Sequence, residues 1–253
     1  MAVSDGTTDD GRERGGPDSG REGGGQDEGP LDIEVRVDTT FHWSYRLVRR
    51  AVHVLNRILF RTTVTPAGRV PAEGPVIIAP VHRSNVDFFV AAELTDRKLH
   101  YMAKDSLWKV GLLARLLPPL GAFPVHRGSA DREALRRAEQ VLAAGEVLIL
   151  FPEGERRVGP VVSDLHEGVA FLAARTGATV VPVGIGGSAS VMPKGAKLPR
   201  PRKIHLEVGD ALPPPERTGS GRVPRSRIHQ RTEELTGILQ DLYDRSVAAV
   251  GRY

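Results

Sequence analysis

From Arg69 onward, short apolar runs alternate with longer stretches of helical periodicity, and this alternation restricts the chain to few folds. The runs Val76–Ala79, Leu99–Ala103, Val147–Phe151, Thr179–Gly184 and Ile204–Val208 are too short for buried helices and read as strands. Helical spacing occupies Asp87–Thr95, Leu107–Leu117, Asp131–Ala144, Leu165–Thr176 and a last segment near Pro224–Val250. Strands that are apolar on both faces are covered on both faces, and strands separated by helices pair mostly in parallel. The expectation is an α/β fold, a mostly parallel or mixed central sheet flanked by helices.

What precedes this region has a different character. Residues 1–35 hold almost no large apolar side chains, and residues 1–30 carry three Arg against eight Asp or Glu. Such a segment buries too little surface to offset its ordering entropy, so it reads as a disordered acidic, Gly-rich tail. The remaining chain carries 32 basic and 23 acidic residues, a balance that suits an anionic partner. Residues 36–66 read as a basic amphipathic, membrane-associating segment that precedes the domain at 67–253. Turned at about 100° per residue, Arg46, Arg50, His53, Arg57 and Arg61 share one face. Leu47, Val48, Ala51, Leu55, Ile58 and Leu59 share another. Either that apolar face packs on the domain, or it lies in a headgroup layer with the arginines on anionic lipid.

The chain has no Cys, which removes disulfides, thiolate metal sites and a cysteine nucleophile, and favours a reducing compartment. No stretch approaches the ~18 apolar residues of a spanning helix, and the N-terminus is not signal-like. A peripheral protein on the cytoplasmic face of the membrane is expected.

Two polar clusters follow apolar strands, where α/β folds place ligands. After Val76–Ala79 comes Val81-His82-Arg83-Ser84-Asn85-Val86-Asp87. On one continuous helix His82 and Asp87 would diverge by about 140°. In a strand-to-helix turn Asp87 can accept from the imidazole and free the other ring nitrogen to take a proton from a hydroxyl. Alternatively, Asp87 caps the next helix and His82 fills the turn. After Val147–Leu150 comes Phe151-Pro152-Glu153-Gly154-Glu155-Arg156-Arg157. There Glu153 can accept from a hydroxyl, Gly154 can admit backbone amides and Arg156 can grip phosphate, unless the run is a charged surface turn. Arg127, behind a Gly and Pro turn, and Lys104 could join Arg156 on one anion. The basic run Lys194, Lys197, Arg200, Arg202 and Lys203 either rests on anionic headgroups or is a solvated loop. The stretch Leu107–Leu117 suits an acyl-chain groove, a membrane-facing surface or a core helix alike.

Four of these blocks stand in one order: His82-x4-Asp87, Gly121-x-Phe123-x3-Arg127, Phe151-Pro152-Glu153-Gly154 with Arg156, and Val181-Pro182-Val183. In that order and spacing they resemble the glycerolipid acyltransferase family, and most of all its bacterial 1-acyl-sn-glycerol-3-phosphate acyltransferases. The resemblance implies that a fatty acyl group passes from an acyl thioester to the free hydroxyl of 1-acylglycerol 3-phosphate, giving phosphatidic acid. It implies His82 as general base and Asp87 as its orienting partner. Phe123 and Arg127 would line the acceptor site, Glu153 and Gly154 would hold its glycerol part, and Arg156 and Lys104 would face phosphate. Acyl-CoA or acyl-carrier protein would be the donor, with no metal and no cofactor. Val81, Glu155, Arg157 and His166 depart from the family pattern, which bears on the acceptor headgroup more than on the chemistry.

Lack of Cys and of a Gly-x-Ser-x-Gly elbow agrees with direct attack by the hydroxyl, without an acyl-enzyme. Glycerol 3-phosphate or another lysophospholipid is an alternative acceptor. A non-catalytic protein of anionic membranes is a further alternative, and no nucleic acid partner is expected. Gly184-x-Gly186-x-x-Ala189 fits a dinucleotide fingerprint, but the residues after it do not read as a helix.

Overall fold

The computed structural model describes residues 43–66, 68–109, 111–118, 120–125, 131–193, 195–196, 198–216 and 223–251. The acidic tail and Arg127 lie outside them, as do Lys194 and Lys197. Seven strands form one sheet: β1 Thr63–Thr65, β2 Val76–Pro80, β3 Leu99–Lys104, β4 Ala122–Val125, β5 Val147–Ile149, β6 Thr179–Gly186 and β7 His205–Val208. Their spatial order is β1-β7-β6-β2-β5-β3-β4. All neighbours are parallel except β6 and β7, so the sheet is mixed, as the α/β reading expects. The helices are α1 Trp43–Leu59, α2 Asp87–Val90, α3 Gly111–Leu116, α4 Arg132–Ala143, α5 Gly168–Thr176, α6 Ser188–Val191 and α7 Arg225–Val250.

Local chemistry explains several boundaries. Asp131 accepts from the Ala134 amide at 2.9 Å and starts α4, whose Ala134, Ala138, Val141 and Leu142 face the core. Val76–Pro80 and nearly all of β6 are buried, as central strands of a covered sheet must be. The glycines at 184 and 186 serve a packing purpose, not a dinucleotide. A Cβ at Gly184 would stand 2.2 Å from the Leu242 carbonyl oxygen and one at Gly186 would stand 2.1 Å from that of Ser246. Their absence lets the backbone of α7 lie directly on β6.

Helix α1 docks by a seam that the sequence reading did not single out. Asn56 Nδ2 donates to the Phe89 carbonyl and to Glu93 Oε1, both at 2.9 Å, and Arg49 Nη2 donates to the Thr95 carbonyl at 2.6 Å. The Tyr45 hydroxyl accepts from the Leu99 amide at 3.1 Å. Most of the apolar face therefore points away from the domain, with Leu47 60% and Ile58 73% exposed and Val54 and Leu55 beside them, whereas Leu59 packs against the core. Of the two alternatives for this face, packing on the domain holds only at Leu59, which with Val52 lies against the core. The hydrogen-bonding partners of the docking strip come from α2, the segment after it and the start of β3. The stretch Leu107–Leu117 divides into a 3₁₀ turn, Asp105–Lys109, and α3. A four-residue helical turn, α6, follows β6 where the sequence reads none.

One buried group couples this fold to pH. His100 on β3 is almost wholly enclosed, its Nε2 has no partner among the described residues, and burial, helped by the Lys98 charge, lowers its pKa from 6.5 to about 4. Below its ordinary pKa the unfolded chain binds a proton that the folded chain refuses. The native state therefore loses stability as pH falls from 6.5 to about 4, by about 3 kcal/mol in all. Denaturant unfolding across that range should show His100→Leu losing about 3 kcal/mol less than the parent. Equal pH slopes would refute the assignment.

Candidate active site

Because β6, β2, β5, β3 and β4 run in parallel, the segments that follow them leave from one edge of the sheet. There the loop after β2 meets the loop after β5. His82 and Asp87 come together: Nδ1 lies 3.0 Å from Asp87 Oδ2. The same Oδ2 accepts from the Arg83 and Ser84 amides, each at 2.7 Å. Asp87 thus caps the turn that precedes it. The helix-capping alternative is not what forms, since Val86 occupies the cap position of α2 and no side chain bonds there. An oxygen that accepts from two amides also accepts from the ring, so Nδ1 carries the proton and Nε2 keeps its lone pair. Nε2 has no hydrogen-bond partner among the described residues.

The imidazole is otherwise enclosed. His82 is 2% exposed, stacked on Phe151 with centroids 4.1 Å apart and met edge-on by Phe88 at 5.4 Å. Its backbone is held as firmly as its ring. The His82 amide donates to Glu153 Oε2 at 2.7 Å, and its carbonyl accepts from the Arg157 amide at 2.9 Å.

Sequence reasoning missed Arg83. Its Nη1 donates to Glu153 Oε1 at 2.5 Å and Oε2 at 2.7 Å, and its Nη2 donates to the Val161 carbonyl at 3.1 Å. The guanidinium also lies over the Tyr243 ring of α7, 4.8 Å from its centroid. Its one signal in the sequence is its place between His82 and Asp87. Its partners stand 70 and 160 residues away.

The remaining expected residues separate into groups. Glu153 is wholly buried and both its oxygens are engaged inside the protein, so it offers nothing to an acceptor and instead braces His82. Phe123 is 2% exposed and belongs to the hydrophobic core. Gly154 turns the loop with φ +69°, beneath His166, where a Cβ would stand 2.6 Å from the imidazole. Arg156 is half-buried beside it, and Lys104 is exposed at the end of β3, two strands from β2.

Removing one member of a buried ion pair leaves an uncompensated charge. Glu153→Gln should lower the unfolding free energy by about 3–5 kcal/mol, and Arg83→Met in that background should recover part of the loss. Denaturant unfolding of the parent, both single variants and the double variant measures the coupling. Losses that simply add would show that the pair does not carry the brace.

Comparison with known proteins places this geometry. The Acyltransferase family model matches residues 61–186, a span that holds the His82, Phe123 and Glu153 blocks. A 1-acyl-sn-glycerol-3-phosphate acyltransferase of Bacillus subtilis is 26% identical over 200 residues, covering 78% of this chain and 96% of that protein. One from Chlamydomonas reinhardtii is 27% identical over 200 residues, covering 73% of this chain but 59% of its own length. The solved 1-acyl-sn-glycerophosphate acyltransferase of Thermotoga maritima superposes with a TM-score of 0.62 at 22% identity, covering 83% of each chain, and so shares the fold. With the ordered sequence blocks, the buried His82–Asp87 pair and these matches in agreement, the chain belongs to the acyltransferase family.

Proposed function

We propose that the protein moves a fatty acyl group from an acyl thioester to the free hydroxyl of 1-acylglycerol 3-phosphate, producing phosphatidic acid. The observation that carries this reading is the His82 ring held through Nδ1 by Asp87, with Nε2 left without a hydrogen-bond partner among the described residues. The acceptor hydroxyl gives its proton to Nε2 as its oxygen attacks the thioester carbonyl carbon. The tetrahedral adduct collapses with cleavage of the C–S bond, and the imidazolium returns the proton to the departing thiolate. An ester and a free thiol result. The apolar walls of Phe88 and Phe151 keep water from the ring and so favour transfer over hydrolysis.

The acceptor phosphate is assigned to Lys104, Arg156 and Arg127. Arg156 is half-buried after β5 with no ion-pair partner among the described residues. Acyl-CoA or acyl-carrier protein supplies the thioester, and neither a metal nor a cofactor enters the scheme. The protein works as a peripheral protein at the cytoplasmic face of the membrane, held there by α1. Among the described residues no helix is long and apolar enough to cross a bilayer, whereas α1 turns Leu47, Val54, Leu55 and Ile58 outward beside Arg46, Arg50 and Arg57. That division suits a helix lying in the interface.

His82→Ala should reduce acyl transfer by about 10²–10⁴-fold while leaving vesicle binding intact. A labelled acyl donor offered with 1-acylglycerol 3-phosphate, glycerol 3-phosphate and other lysophospholipids reads both base and acceptor. Activity that survives at His82→Ala, or a different preferred acceptor, would overturn the corresponding part of the reading. Leu47→Asp with Ile58→Asp should abolish sedimentation with anionic vesicles without lowering the thermal midpoint, because neither side chain packs on the domain. Undiminished sedimentation would remove α1 as the anchor.

A further inference from the structure

Two cationic segments, 140 residues apart, meet at the end of the sheet that also carries His82. Strand β7 pairs with β1 in the register Thr63 to His205, which sets the residues entering the two strands side by side. The Ile204 amide donates to the Phe60 carbonyl at 2.9 Å, and the Thr63 amide donates to the Ile204 carbonyl at 3.1 Å. Arg61 is thereby carried to Arg202 and Lys203. With Ser190 and the last turn of α7 these three cations line a cavity of about 240 Å³, and among the described residues no Asp or Glu lines it.

Pairing within the protein accounts for one of the three charges. Lys203 Nζ donates to the Ala249 carbonyl at 3.0 Å and so completes the C-terminus of α7. Arg61 and Arg202 have no hydrogen-bond or ion-pair partner among the described residues. Arg61 is also conformationally costly where it stands. The Phe60 and Thr62 amides both donate to the Asn56 carbonyl, closing α1 and leaving Arg61 at φ +43°. Glycine is favoured at that position, and an L side chain is strained there. A strained backbone holds an unpaired guanidinium at a cavity that already contains two more cations, an arrangement that repels itself when empty and is relieved by an anion.

We propose that this cavity is a phosphate site, separate from the centre at His82. In the sheet β6 and β7 lie between β2 and β1, so the two places are offset by about 10 Å or more. Two guanidiniums can take a phosphate through paired N–H donors, while Lys203 adds a point charge. Arg61 also prolongs the basic stripe of α1, and a phospholipid headgroup is therefore the source that the placement favours. The coenzyme of an acyl donor carries the same chemistry. The lipid source rests on the proposed docking of α1, whereas the phosphate site itself does not.

The test uses the full chain with Arg61→Gly and Arg202→Gln, singly and together, and Arg136→Gln on α4 as a control for lost charge. Inorganic phosphate and free coenzyme A are titrated calorimetrically, and phosphatidylcholine vesicles with and without phosphatidylglycerol are sedimented. Affinity for inorganic phosphate and for the anionic vesicles should fall roughly fivefold for each arginine removed, and hardly at all for the control. Arg61→Gly should hold or raise the thermal midpoint, which separates lost binding from lost folding. Weaker coenzyme A binding with unchanged vesicle binding would support the phosphate site and overturn the lipid as its source. Wild-type affinities of the double variant for phosphate, coenzyme A and vesicles would overturn the site. Vesicle binding that is absent even in the parent, with phosphate binding still lost in the variants, would count against the anchoring by α1 and leave the site standing.

Discussion

A wholly buried carboxylate, Glu153, holds the two loops of the active centre in one arrangement. Burying an ion pair gains little unless the remaining donors and acceptors are also satisfied. Here the carboxylate takes Arg83 on both oxygens and the His82 amide on one, while Arg83 spends its other arm on the Val161 carbonyl and lies over Tyr243, leaving only its Nε without a partner among the described residues. The loops after β2 and β5 therefore cannot move independently, because separating them would expose an uncompensated charge in a dry interior. The placement of His82 follows from this brace. His82 is held through its amide by Glu153, through its carbonyl by Arg157, and through its ring by Asp87 and Phe151.

The brace has its own support. Helix α7 brings Tyr243 beneath Arg83 because Gly184 and Gly186 remove the side chains that would hold it off β6. Three residues before Tyr243, Gln240 accepts from the Val162 amide at 2.8 Å and donates to the Pro160 carbonyl at 3.1 Å. That fastens the segment whose Val161 carbonyl receives Arg83. A pair of glycines that fits a nucleotide fingerprint on paper thus serves the brace beneath His82 by way of a helix some sixty residues later. The same pattern in sequence carries either meaning, and only the element packed above it decides.

How much could be read in advance follows the reach of each interaction. The central strands β2, β5 and β6 are continuous apolar runs, because a covered strand needs no polar face, and they were legible. The edge strands β1 and β4 were not. One has three residues, and the other contains Pro124, which an edge position tolerates and a central one does not. His82 and Asp87 were legible as candidates because a five-residue separation can close within one turn, although the direction of the cap was not. Arg83, Glu153 and Tyr243 as a single unit were hidden, since nothing local records an attachment across 70 or 160 residues. Phe123, inside a recognised motif, also belongs to the hydrophobic core, a placement that the motif alone does not record.

Helix α1 shows how a correct pattern can be attached to the wrong surface. Its apolar and basic faces are both where the periodicity puts them, yet the domain takes only a fringe of each, Leu59 from one and His53, paired with Glu93 at 2.8 Å, from the other. Asn56, a single polar residue, makes the deepest attachment, and its donors end on Phe89 and Glu93 in the segment that continues α2. A helix fixed by a polar seam leaves its apolar stripe without a partner, at roughly 25 cal/mol for each Å² left in water. Exposed arginines contribute only about 1 kcal/mol each at an anionic surface, so the charge and the apolar stripe are both needed for firm attachment. Because α2 begins at Asp87, the element that would rest on lipid is joined through Asn56 and Phe89 to the acid that orients His82. The proposed membrane contact and the proposed proton transfer therefore share one short helix, and a force on α1 reaches the imidazole through two hydrogen bonds and a single turn of backbone.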